Sequence, residues 1–289
     1  MVTISDKNFL VEINEFGAEV YSIKNDGVEY LHNGDKKYWS GRSPIMFPIC
    51  GRLEGGYYTF DGNRYEMPIH GIAKHNHFEI VKQSKSDVTF ILKSNEGTLK
   101  YYPFDFELLV NFSVKDNSLT TTYTVKNIGD KTMYFTLGAH PGFKVPLEDI
   151  GTFEDCYIEF STPCTPLAMG LSPRCFRSGE YPKFSDEPIT TIPLNEELFS
   201  NDAIFLKETS GSLCLKSKAT KRYIQIDYQG FKFIGLWQPY NVGAPFVCIE
   251  PWLGSPSLDG RIDDFKTKDD MLSLDTDKEY SISYKITIK

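Results

Sequence analysis

Residues 138–143 read GAHPGF and residues 247–252 read VCIEPW. The first stretch sets His140 between Gly-Ala and Pro-Gly. The second sets Glu250 directly after apolar residues and directly before Pro-Trp. Imidazole and carboxyl groups move protons near neutral pH when their surroundings tune them. An acid that follows an apolar run is seldom placed there unless it is paired or poised. Five more residues stand at comparable corners: Arg52 in GRLEGG (51–56), His70 in PIHGIAKHNHFE (68–79), Asp202 in FSNDAIFL (199–206), and Trp237 with Gln238 in WQPYNVGAPFVCIEPW (237–252). Rigid scaffolds commonly present functional side chains at such loop positions.

Each residue also has a plain structural reading. Arg52 and His70 suit Gly-rich turns, Asp202 suits a turn or helix cap, and Trp237 and Gln238 suit an ordinary strand. His140 by itself reads more readily as structural than as catalytic. As a set they point to a sugar site. Trp237, Trp252 and Phe143 offer flat apolar faces for a pyranose, Arg52, Asp202 and Gln238 can bond hydroxyls, and His140 and Glu250 can move protons. Other chemistries fit less well. His70, His75 and His77 have the spacing of a metal cluster, but Lys74 lies within the group and would repel a cation. There is no GxSxG elbow and no GxxxxGK[ST] loop. A hydrolytic carboxylate pair, Asp202 with Glu250, would leave the histidines unexplained.

The elements that must position these residues read as strands. Segments 8–13, 18–24, 77–83, 87–94, 104–115 and 118–127 are rich in β-branched and aromatic residues, many alternating with polar ones. Segments 203–207, 212–217, 222–228, 231–237, 245–250 and 279–289 continue the pattern, and Met133–Leu137 leads into GAHPGF. Tight polar turns such as KDNS at 115–118 separate them. Short helices are expected only near Asn195–Ser200 and Asp264–Asp270. Strands joined by short turns predict an all-β chain, an antiparallel sandwich or barrel, formed as one domain over residues 1–289. The irregular, Pro- and Ser-rich residues 161–190 read as a loop covering a surface or site.

Composition sets the outer bounds. The 289 residues are 40% hydrophobic and 14% aromatic, enough for a sizeable core. A formal charge of −8 argues against nucleic acid or an anionic membrane as partner. No run approaches the ~18 apolar residues of a membrane span, and the N-terminus lacks a secretory signal pattern. The expectation is a cytoplasmic monomer or homodimer whose six cysteines are reduced.

In order along the chain, GRLEGGYYTFDG (51–62), IHG (69–71), GAHPGF (138–143), FSNDAIFL (199–206), WQP (237–239) and VCIEPW (247–252) resemble the motifs of the aldose 1-epimerase (galactose mutarotase) family, nearest its galactose-mutarotase-related bacterial branch. The resemblance runs from about Phe9 to the C-terminus. It implies a large antiparallel β-sandwich, sometimes called a supersandwich, and cofactor-free interconversion of the α and β anomers of an aldohexose. It implies Glu250 as general base at the C1 hydroxyl and His140 as general acid at the ring oxygen. His70 and Arg52 would polarise oxygens near the reacting centre, and Asp202 and Gln238 would hold hydroxyls, with Trp237 beside them. Gly51 stands where the galactose enzymes usually carry asparagine. Two rivals remain at this point. One is a mutarotase for phosphorylated hexoses, drawing on Arg42, Lys74, Arg174 or Arg177; the other is a sugar-binding module without chemistry.

Overall fold

The computed structural model describes residues 1–289. The alternation in Phe106–Lys115 and Ser118–Asn127 produces a hairpin of two ten-residue strands with every second side chain buried. Asp116 and Asn117 turn it with φ of 48° and 58°, the left-handed geometry that matches the twist of the flanking strands. This hairpin lies within a nine-stranded antiparallel sheet. Its order is Ile189–Pro193, Cys156–Cys164, Ser212–Ser217, Ile224–Asp227, Glu279–Ile288, Ser118–Asn127, Phe106–Lys115, Asp87–Lys93 and Glu79–Gln83.

A second antiparallel sheet is built of shorter strands, in the order Leu167–Ala168, Ile204–Lys207, Phe233–Trp237, Phe246–Trp252, Gly138–Ala139 and Ile45–Met46. Gly142–Lys144 also pairs with Phe246–Trp252. One core joins the sheets: Leu108, Val110 and Phe112 from the first share a cluster of 63 buried residues with Leu236, Val247 and Ile249 from the second. The fold is a large antiparallel β-sandwich, one of the two forms that the strand pattern left open. Because side chains alternate across a strand, Val247 and Ile249 facing the core leaves Cys248, Glu250 and Trp252 on the opposite face.

Three local expectations are corrected. The strand beginning at Met133 ends at Phe135 and pairs with Leu272–Leu274; Thr136 N–H then donates to the Pro48 carbonyl and leaves the ladder. The strand carrying Glu250 continues to Trp252, so Glu250 lies within it rather than at its end. Residues 264–270 hold no helix: Asp263–Asp264 pairs in parallel with Tyr57–Phe60, and turns follow. Near Asn195 there is one 3-10 turn, Glu196–Phe199, capped by the Asn195 side chain.

Candidate active site

Gly138 pairs with Trp252 and Gly142 with Cys248. Continued through the gap, that register sets His140 opposite Glu250. Pro141 has no N–H to give the ladder, so the strand is interrupted there, although its carbonyl still accepts from Ile249 N–H at 3.1 Å. His140 thus stands outside both short strands, and its Nε2 lies 3.3 Å from Glu250 Oε2. The two side chains are 8% and 1% exposed. The Trp252 indole N–H donates to the same Oε2 at 3.1 Å. Trp39 stacks on His140 with ring centres 4.8 Å apart, and Trp237 meets it edge-on at 5.6 Å.

Burial holds the Glu250 carboxyl well above its usual range; the Trp252 hydrogen bond opposes this and nearby Asp202 adds to it. Burial likewise lowers the His140 imidazole to about 3. Both effects favour the uncharged forms, a carboxylic acid beside a neutral imidazole. Transfer of the acid's proton across the 3.3 Å contact yields carboxylate and imidazolium. The two groups titrate as a pair.

His70 is held differently. Its backbone N–H donates to Gly51 O at 2.8 Å, and Gly51 N–H donates to His70 Nδ1 at 3.1 Å. An Nδ1 that accepts carries no proton, so the ring is the Nε2–H tautomer. Burial lowers its pKa well below the ordinary value, with the His140, Lys74 and Arg52 charges adding to the effect. His70 and Gly71 have φ of 66° and 77°. A Cβ on Gly71 would fall 2.2 Å from Phe47 O, so only glycine fits where the chain passes the second sheet. Gly51 has φ of 77°, and a Cβ there would meet Pro256 at 2.7 Å. Asparagine at that position would clash with Pro256.

Asp202 has φ of 69°. Its Oδ1 accepts from the Trp237 indole N–H at 2.9 Å, and its Oδ2 lies 3.9 Å from the Arg52 guanidinium. These groups enclose a cavity of about 310 Å³. Arg52, His70, His140, Asp202, Trp237 and Glu250 all line it. Gln238 does not. It follows the last residue of its strand, is 1% exposed, and its Oε1 is buried without a partner. Phe143 is also displaced from the expected set, since it packs in the main core, whereas Trp252 lines the cavity. His75 lies in a side lobe, and His77 packs edge-on against Phe16.

Trp39 and Cys175 line the cavity but escaped the sequence reading, whereas Lys74, considered there as a phosphate-binding cation, lines it as well. A tryptophan in the polar stretch KKYWSGR was the available signal for Trp39. Lys74 is half-buried and makes neither a hydrogen bond nor an ion pair within 4.0 Å. Burial lowers its pKa, with Glu19 opposing. The other cations considered for a phosphate are engaged elsewhere. Arg42 donates to Tyr21 O, Arg174 pairs with Glu54 and Asp259, and Arg177 pairs with Asp269.

A proton donor and acceptor in contact within such a cavity suit acid–base chemistry on a small polyol. The family model for aldose 1-epimerase matches residues 1–259. The chain belongs to the aldose 1-epimerase family. This epimerase is 34% identical to plasmid-encoded protein LacX of Lactococcus lactis subsp. lactis over 307 aligned positions, covering 99% of each chain. It is also similar to two solved structures. The galactose mutarotase related enzyme of Lactobacillus acidophilus is 31% identical with a TM-score of 0.94, covering 100% of this chain and 97% of that one. A galactose mutarotase-like protein of Lactobacillus casei is 32% identical with a TM-score of 0.94, covering 100% of each. The epimerase is therefore a carbohydrate isomerase of mutarotase type with a sugar as substrate. No helix is long and apolar enough to cross a membrane.

Proposed function

We propose that this epimerase interconverts the α and β anomers of an aldohexose, the whole chain acting as one domain, with Glu250 and His140 as its proton-transfer pair. The contact of Glu250 with His140 at 3.3 Å inside the cavity carries this reading. Opening the ring takes a proton from the C1 hydroxyl and delivers one to the ring oxygen. Both oxygens are bonded to C1, so an acid and a base in contact with each other can serve them together. In the carboxylate–imidazolium form, Glu250 accepts the C1 hydroxyl proton while His140 Nε2 donates to the ring oxygen. The C1–O5 bond breaks and leaves an aldehyde. Rotation about C1–C2 and the reverse transfers close the ring as the other anomer. Every proton is returned, and no electrons are gained or lost.

His70, fixed as an Nε2–H donor, supports this division: it stabilises an oxygen and leaves the acid role to His140. Arg52 and Asp202 hold hydroxyls, and Trp237 covers the apolar face of the ring. Polarimetry on freshly dissolved α-D-glucose and α-D-galactose tests the proposal. Faster equilibration of either sugar is expected; no acceleration of any aldose overturns it. Unpaired Lys74 in the cavity favours a second reading, a sugar bearing an anionic group such as phosphate. Faster turnover of glucose 6-phosphate than of glucose, with salt weakening the difference, would select it.

A further inference from the structure

We propose that His140, Cys248 and Glu250 form a binding site for a thiophilic divalent cation such as Zn²⁺, which would silence the enzyme by occupying its acid–base pair. Cys248 and Glu250 are two residues apart on one strand, so their side chains leave it on the same face. His140 meets them from across the ladder. The three ligand atoms all lie within 4.8 Å of one another, and all three residues are buried. Zinc ligands bind at ~2.0–2.3 Å, so tetrahedral neighbours stand about 3.3–3.6 Å apart; the His140–Glu250 edge is already 3.3 Å. Closing the remaining edges needs shifts of about 1 Å.

The cavity supplies what a closed structural site would lack. His140 and Glu250 both line it, which gives an ion a path inward and leaves a fourth position for water. One sulfur, one nitrogen and one oxygen form a donor set that favours Zn²⁺ and Cd²⁺ over Mg²⁺ and Ca²⁺. Two features make the ion an inhibitor and not a resident cofactor. A metal-bound histidine usually has its other ring nitrogen held by a hydrogen-bond partner, whereas His140 Nδ1 is buried with none. Lys74 also lines the cavity and repels a cation. On binding, the thiol of Cys248 and the carboxyl of Glu250 release their protons to solvent, and the sugar and the metal exclude each other.

Metal binding is measured directly, so it does not depend on the proposed reaction. Protein stripped with EDTA is titrated with Zn²⁺ by calorimetry and with Co²⁺ by absorption, where a thiolate ligand gives a near-ultraviolet charge-transfer band. The expected result is one ion per chain and a cobalt–thiolate band. Affinity should fall by about 10-fold or more in Cys248→Ser and Cys248→Ala, while Cys175→Ser, at the cavity wall, should retain it. Circular dichroism of each variant checks folding. In the polarimetric assay Zn²⁺ should compete with sugar, EDTA should restore the rate, and Mg²⁺ should have no effect. Absence of the cobalt–thiolate band, or equal affinity in wild type and both folded Cys248 variants, overturns the site. If metal binds as expected but no sugar is turned over, the metal site stands and the proposed reaction fails.

Discussion

Glu250→Gln should lower activity and raise stability at once. The side chain is 1% exposed, and glutamine keeps its shape. Its carbonyl oxygen, set at the Oε2 position, can accept from the Trp252 indole N–H and from a His140 Nε2–H, the two groups that Oε2 now contacts. The variant loses the proton exchange and should slow anomer equilibration by ~10²–10⁴-fold. The stability effect follows from the raised carboxyl. In the unfolded chain the group ionises near its ordinary value of 4.5, while in the fold burial keeps it protonated to higher pH. Between those two values the carboxyl gives up its proton on unfolding, so its own contribution to stability falls as pH rises. Glutamine has no such slope. Urea denaturation should show the variant gaining on the wild type, and gaining more at about pH 7 than at about pH 5. Polarimetry on α-D-glucose and α-D-galactose supplies the rate. A near-wild-type rate, or an equal loss of stability at both pH values, would refute the reasoning.

His140→Asn should cost ~10²-fold or more in kcat, and His70→Asn less, because His70 only donates a hydrogen bond; the reverse order in steady-state kinetics would exchange their roles. The pH profile should also be unusual. Burial resists a second proton on the pair until the pH approaches the His140 value of about 3, so kcat/KM should change less than about threefold between about pH 7 and pH 5. A decline in proportion to acidity below the ordinary imidazole value of ~6.5 would show that His140 titrates freely. Gly71→Ala should destabilise the fold by about 2–5 kcal/mol, through positive φ and the contact with Phe47 O. Thermal or urea unfolding equal to wild type would mean that the backbone beside His70 relaxes at little cost.

Much of this protein is legible without coordinates because strand alternation is a local property. The hairpin of Phe106–Lys115 and Ser118–Asn127 forms where β-branched and aromatic residues alternate with polar ones. Glu250 announced itself as an acid in an apolar run. Parity along its strand already implied that Cys248 and Glu250 share a face. The segment 161–190 read as a covering loop, and its Cys175 does line the cavity. Gln238, expected from WQP, does not line the cavity: it lies past the end of its strand, where alternation no longer says which side a residue faces.

Residue types, strand parity and the Gly/Pro corners were determined by the sequence itself. The tertiary structure decided the rest. Placing His140 against Glu250 requires a register between strands more than a hundred residues apart. The inclusion of Trp39 and Lys74 requires loops to fold over one face of the second sheet. Their closure also excludes water, and this desolvation raises the Glu250 carboxyl and lowers the His140 imidazole. A pKa depends on the dielectric and charges around a group, and these exist only after distant segments have packed together.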